Sequence, residues 1–461
     1  MKRHPEMVVT KPEAGSENDT GLLRDLTMRD GVAIVAGAVI GSGIFLVPGE
    51  VGLRVPGLAA VLGVWLLGGL LTLAGALSLA ELGSMFPAAG GLYTYLRAVY
   101  GRPVGFLYGW LLLTVINTGS IATLATGFSL YVSQVVAVSA GQRKLLAAGA
   151  IVVFTALNLM SLHRAKVVQN LGTVAKLAGI GMLALELFLH GSTTLLRESM
   201  PGVRPLTMTG VGVALVSVLW AYEGWHVVSF TAGEFRNPAR DLPRSLVLGT
   251  LIVVGVYMTL NLAYYSVLSN ANVAGAPSTA VRAMQAVGGP VLVRLLSGVI
   301  VVSILVSING LVLTGPRVFY AMAHDGVFFR ALGRVSKRGR VPVAALLLQG
   351  AWAIGLTLTG QFHQLYTLVI SSAWLFYGLS VAAVLVMRWK EPERPRPFRT
   401  PWMPWVPALF VLASAGIVIS SFISSWQHAL MGLGFLVMGL PVYLLFARLN
   451  GRGEQARGEK R

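Results

Sequence analysis

Ile40-Gly-Ser-Gly-Ile-Phe45, with Pro48 and Gly49 just beyond, lies inside an apolar run that starts at Gly31. Trp220-Ala-Tyr-Glu-Gly-Trp225, with His226 and Gly233 following, lies inside another. Glycine in a helix costs about 1 kcal/mol relative to alanine, so Gly41 and Gly43 favour local unwinding. Unwound backbone at membrane depth is tolerated only where it lines a cavity or is buried in protein. Gly41 and Glu223 lie about 180 residues apart. Matching interruptions in two five-span halves predict an inverted repeat around a site near the bilayer midplane. The plainer alternative is a pair of glycine packing faces on continuous helices.

Composition makes a bilayer the solvent for much of the surface. Of the 461 residues 55% are hydrophobic and only 12% charged, and the mean hydropathy is +0.72. Too little polar side chain remains to coat a water-soluble particle of this size. Apolar runs near 31–56, 58–85, 104–136, 145–160, 168–189, 210–234, 244–268, 290–320, 342–359, 364–387, 403–424 and 428–447 predict helical spans, most about 20 residues or longer. Residues 1–30 are polar and lack a cleavable leader pattern, so they read as a cytoplasmic tail. Residues 31–189 form a first five-helix repeat and 210–388 a second. A Pro-rich connector, 389–402, leads to two additional helices over 403–447 and a cytoplasmic tail, 448–461. The segment from Pro87 to Arg102 suits a lateral or re-entrant helix.

The net charge of +18 is unevenly placed. With the N-terminus inside, only Arg54, Arg143, Lys144, Arg197, Arg204, Arg282 and Arg294 fall outside, and Lys176 falls within a span. Such asymmetry sets both termini in the cytoplasm of a cell (inner) membrane. The cytoplasmic excess faces anionic headgroups, and nucleic acid is not needed to explain it. With no cysteine there is no disulfide, thiolate metal site or iron–sulfur cluster. No cofactor is expected.

A broken helix exposes amides at the start of one half and carbonyls at the end of the other. The half beginning after Gly43 offers donors at Ser42, Gly43 and Ile44 with a positive dipole end, suited to a carboxylate. The carbonyls of Val39 and Ile40 would face an ammonium group, joined by those near Trp220 and Ala221. A zwitterion with both charges on one carbon fits these poles, and an amino acid is the simplest such ligand.

Gly-Ser-Gly-Ile-Phe at 41–45, Ala80-Glu-Leu-Gly83 with Gly90-Gly-Leu-Tyr93, and the run from Trp220 to Glu234-Phe-Arg-Asn-Pro-Ala-Arg-Asp-Leu-Pro-Arg244 resemble the amino acid–polyamine–organocation superfamily. The likeness, which covers nearly all of 20–450, is to the L-type branch and its bacterial relatives; Ser307-Ile-Asn-Gly310 and Thr314 to Arg317 resemble that branch's eighth span. It implies an all-α membrane protein of twelve transmembrane helices, a LeuT-type five-plus-five inverted repeat with helices 1 and 6 broken. It further implies that Ser42 and Gly43 bind the substrate carboxylate, that the carbonyls of Val39, Trp220 and Ala221 bind the amine, and that Trp220 gates the site. Core packing or interfacial anchoring is the alternative for Trp220.

By the same resemblance Lys176 stands where sodium-coupled relatives hold a cation, which implies sodium-independent transport. A lysine snorkelling to water is the competing account. Glu223 departs from the neutral-substrate pattern and could attract a cationic side chain or bind a proton during a cycle; hydrogen bonding to exposed backbone is the plainer role. His226 reads best as neutral and hydrogen-bonded beside the site. Asn117, Thr118, Ser120 and Asn309 could line the cavity, or join helices by polar contacts. Glu81, Glu234, Arg236, Arg240 and Asp241 resemble inner-gate ion pairs, or are solvated charges worth under about 1 kcal/mol each.

No His-Glu-x-x-His, Walker or strand-borne Gly-x-Ser-x-Gly constellation supports an enzyme. A channel and a purely regulatory membrane protein are the other classes. Exchange of amino acids without an ion gradient is the favoured mechanism, with proton-coupled symport of amino acids or polyamines the alternative. Without cysteine the chain cannot form the disulfide that links animal light chains to a heavy chain, and nothing in the sequence sets an oligomeric state.

Overall fold

The computed structural model describes residues 21–133, 136–199, 205–359, 362–424 and 426–458. Apart from one bridge between Leu26 and Phe235, the described secondary structure is helical. Thr27 starts the first helix through a capping box with Asp30, which satisfies two of the amides a helix start leaves unpaired. That helix, α1 (Met28–Val39), stops at the glycine-rich run; α2 (Gly43–Arg54) resumes at an angle of 47°. The chain continues through α3 (Gly57–Met85) and α4 (Leu92–Tyr100), then α5 (Arg102–Leu111), a π turn and α6 (Asn117–Val132). Next come α7 (Ala140–Met160), α8 (Leu162–Leu189), α9 (Thr193–Ser199) and α10 (Met208–Ala221), with α8 capped by the Ser161 hydroxyl.

After α10 a turn leads into a 3-10 segment, Val227–Glu234, and then α11 (Pro238–Val267). Two short helices, α12 (Asn270–Val273) and α13 (Thr279–Val287), precede α14 (Pro290–Thr314) and α15 (Pro316–His324). The chain ends with α16 (Val343–Thr359), α17 (Phe362–Lys390), α18 (Trp405–Ser424) and α19 (Trp426–Gly458). Among the described residues nine helices are long and apolar enough to cross a membrane, and ten spans result if the bent pair counts as one. α10 and α16, 14 and 17 residues long, are apolar but shorter.

Burial follows bilayer logic. On α8, Leu171, Val174 and Met182 are exposed, while Gln169, Thr173 and Lys176 on the opposite face are buried. Apolar side chains face lipid and the polar stripe faces protein.

Several boundaries differ from the sequence-based expectation. Leu22 and Leu26 are fully buried, so the chain is packed well before residue 31 and is not a free arm there. α19 continues past 447 to Gly458. The connector is non-helical over 391–404, as its prolines require.

The basic residues near one end of the bundle are not simply a coat for headgroups. Arg317 and Glu234 are both buried and form a two-pronged pair, Nε to Oε2 at 2.8 Å and Nη2 to Oε1 at 2.9 Å. Buried Glu81 at the end of α3 accepts from Arg388 at 2.8 and 3.0 Å and from the Thr400 amide at 2.7 Å, and it pairs with Arg396 at 3.3 Å. Charge counting registers these arginines as positive but not that carboxylates on neighbouring helices neutralise them. Asp25 pairs with Lys166 at 2.5 Å and Arg236 at 2.8 Å. Burial alone would raise its carboxyl; the hydrogen bonds and charges of Lys166 and Arg236 outweigh that and hold it below the usual range. The pairing is therefore complete above about pH 4 and fades as the pH falls through the lowered value.

Breaking one partner of a buried pair costs about 3–5 kcal/mol, whereas replacing both by apolar residues is often neutral. Arg317→Met should lower the melting temperature in detergent markedly, and Arg317→Met with Glu234→Leu should recover most of the loss in the same thermal scan.

Candidate functional site

The first break is a tight turn rather than a bend in a continuous ladder. The Gly41 amide donates to Val39 at 2.8 Å and the Phe45 amide to Ser42 at 3.1 Å. The second break is similar: the Glu223 amide reaches Trp220 at 3.0 Å, and the Val227 amide reaches Gly224 at 3.2 Å. Gly224 has φ +105°, a conformation that strains any residue with a Cβ. The two breaks abut, since a Cβ on Gly43 would stand 2.8 Å from Ala221 Cα. Tyr257 of α11 ties them together, its hydroxyl lying 2.7 Å from the Ala221 carbonyl and 3.2 Å from that of Val39.

A cavity of about 40 Å³ lies at this junction. By that measure it holds about three waters. Val39, Ser42, Gly43, Asn117, Ser120, Trp220, Ala221, Glu223 and His226 line it together with Ala38 and Gly224. Ile40, Ile44 and Asn309 are not among its lining residues. The Ile44 side chain is fully buried and its carbonyl faces the Tyr264 hydroxyl at 3.4 Å. Asn309 is buried among α7, α8 and α14, bonded to Asn158 at 3.0 Å and Gln169 at 2.8 Å. Thr118 donates to Leu113 at 2.6 Å across the π turn, an acceptor within its own span.

A model of the amino acid permease family matches residues 26–446. This chain belongs to the amino acid permease family. It is 32% identical over 438 residues to the human b(0,+)-type amino acid transporter 1, covering 93% of this chain and 88% of the relative. It is 31% identical over 432 residues to the serine/threonine exchanger SteT of Bacillus subtilis, covering 92% and 97%. With the mouse large neutral amino acids transporter small subunit 2 it shares 29% identity over 460 residues, 96% of this chain and 85% of the relative.

In this permease the Lys176 ammonium sits against the first break. It is fully buried and donates to the carbonyls of Gly37 at 2.8 Å, Ile40 at 2.6 Å and Ser303 at 2.9 Å, with the Ser307 hydroxyl at 3.3 Å. It does not snorkel to water. The Gly41 amide, which would bond Gly37 in an unbroken helix, is spent on Val39, and the lysine takes the carbonyl left behind. The Ile40 carbonyl also accepts from Ser303 at 2.8 Å and Ser307 at 3.2 Å. It therefore faces the protein's own ammonium, where the sequence reading has that of a ligand.

Glu223 receives the Tyr377 hydroxyl at 2.5 Å, and the same oxygen lies 3.4 Å from His226 Nε2. His226 Nδ1 is buried without a partner, so the ring's hydrogen bond is the one at Nε2 with Tyr377. Tyr257, Tyr377 and Arg317 were not singled out from the sequence as site or pairing residues. Each is a polar group in or beside an apolar run, and its partner lies in a segment distant in sequence.

Removing Lys176 strips donors from buried carbonyls, at about 1–3 kcal/mol for each group left unpaired. Lys176→Ala should lower amino acid counterflow in proteoliposomes by roughly tenfold or more, measured per folded protein after size exclusion.

Proposed function

We propose that this permease exchanges amino acids across a cell (inner) membrane by alternating access, without sodium. The observation that carries this is the meeting of two glycine-broken helical segments at a small cavity, in a chain of the amino acid permease family. The arrangement proposed is a LeuT-type five-plus-five inverted repeat over 31–189 and 210–388 with two added helices over 403–447. Nine long helices, the bent pair and the two shorter apolar helices supply twelve elements for that count. Both termini lie in the cytoplasm, so the Glu234–Arg317 and Glu81–Arg388 pairs belong to the inner side.

Amides at Ser42, Gly43 and Ile44 would hold the substrate carboxylate, and carbonyls at Val39, Trp220 and Ala221 its amine, with the Tyr257 hydroxyl yielding two of those acceptors as the ligand enters. Trp220, which borders the cavity, would close over it. Lys176 supplies a fixed positive charge where a coupling ion would otherwise bind. The Bacillus relative is an exchanger by name, which supports exchange here. Lacking cysteine, the chain works without a disulfide-linked heavy chain, and its role is transport rather than catalysis.

Glu223 supports a second reading, proton-coupled symport, because its carboxylate faces the cavity with a phenol rather than a basic side chain as its hydrogen-bond partner. It also favours substrates with a cationic side chain.

Counterflow in proteoliposomes should proceed without sodium or a proton gradient and saturate with amino acid. Uptake that requires an imposed proton gradient would favour symport. Glu223→Gln should weaken competition by arginine, lysine and ornithine about tenfold relative to neutral amino acids; an unchanged ranking would remove the carboxylate from substrate selection.

A further inference from the structure

Asn309 lies beside the broken helix without bordering the cavity, and its neighbours form a directed chain of amides. Asn158 Nδ2 of α7 donates to Asn309 Oδ1 at 3.0 Å, and Asn309 Nδ2 of α14 donates to Gln169 Oε1 at 2.8 Å. Gln169 Nε2 of α8 then points at the Ala33 carbonyl of α1, 3.4 Å away. All three side chains are buried. Because each amide oxygen is taken by the amide before it, Gln169 is left with one orientation, its nitrogen toward α1.

The same face of α8 meets α1 along most of its length. Lys166 holds the Asp25 carbonyl at 2.9 Å, Thr173 the Ala33 carbonyl at 3.0 Å, and Lys176 the carbonyls of Gly37 and Ile40. These residues recur at helical spacing on one stripe. Close approach depends on Gly37: a Cβ there would stand 2.1 Å from Gln169 Nε2 and 2.4 Å from Thr173 Oγ1. Lys166 and Lys176 hold the chain at the two ends of α1, and along the middle of the stripe Gln169 is oriented by side chains of α7 and α14.

We propose that Gln169 is a positioning residue for α1. Oriented by Asn309 and Asn158, it holds α1 against α8, and losing that hold loosens the first half of α1 and uncovers the end of the bundle near Asp25, where Ser245 lies beneath Met28. The proposal rests on the alternating-access reading above. α14 also bonds α1 directly near the break, through Ser307 to the Gly37 carbonyl at 2.9 Å, but α7 reaches α1 through this relay, so a movement of the first half of α1 relative to α7 must break or stretch its last link.

The chain has no cysteine, so an introduced one is the only thiol. Ser245 of α11 is fully buried beneath the start of α1, its hydroxyl donating to the Met28 carbonyl at 3.1 Å. Ser278, whose hydroxyl donates to the Phe45 carbonyl at 3.3 Å, reports the far side of the break. In the full chain in lipid nanodiscs, labelling of Ser245→Cys by a hydrophilic maleimide is followed with and without serine, arginine and leucine as probes. Gln169→Leu, and independently Asn309→Asp, which touches neither α1 nor the cavity, should each raise the Ser245→Cys rate roughly three- to tenfold, as expected when one hydrogen bond is withdrawn from an equilibrium. Labelling of Ser278→Cys should not rise. Equal increases at both cysteines would mean general loosening and overturn the proposal, as would unchanged Ser245→Cys rates in both variants on a background where amino acid still alters labelling. If no probe alters Ser245→Cys labelling even in the parent, the transport reading itself fails.

Discussion

A carbonyl inside hydrocarbon must have a donor, and the organisation around the first break follows from that requirement. Ending α1 at Val39 leaves carbonyls that no following turn can satisfy. Lys176, Ser303 and Ser307 converge on those of Gly37 and Ile40, while the Tyr257 hydroxyl serves Val39 and Ala221. Helices α8, α11 and α14 are thus fixed around the break by hydrogen bonds to backbone, where no side-chain substitution on α1 can remove the acceptor.

Packing sets the second constraint. Gly43 lies so close to Ala221 that a methyl group would collide with backbone, and the positive φ of Gly224 turns the chain into its 3-10 segment. The two interrupted segments therefore share one contact surface. At the end of the bundle near Asp25 the chain is held by charge pairs: Asp25 with Lys166 and Arg236, Glu234 with Arg317, Glu81 with Arg388 and Arg396, and Arg97 with Asp325, which also accepts from Tyr93 at 2.6 Å.

Much of this was readable from residues alone because two local rules are strong. Glycines at 41, 43 and 224 mark where helix fails, and apolar length marks where it spans; the turns at 40–42 and 222–226 lie where those glycines put them. Lys176 stood out because a lone ammonium inside a span must find oxygen. Asn309 has two readings from sequence and the structure takes the second, joining helices: an asparagine in a span needs partners, and sequence does not distinguish a cavity from a neighbouring amide. Arg317 and Arg396 were counted with the lipid-facing charges because pairing depends on which helix ends meet, a tertiary fact. Tyr257 and Tyr377 gave no warning, since a tyrosine in an apolar run looks like packing until its hydroxyl is located.

The anchoring of Lys176 has an energetic corollary. A dissolved ion that visits such a spot arrives with the free energy of its own gradient and departs on the other side. An ammonium on a covalent stem does neither, so it contributes attraction but no thermodynamic drive. On the proposed mechanism, any accumulation against a gradient must then be driven by the outward slope of the companion solute, which makes the cell's internal pool of that solute the battery.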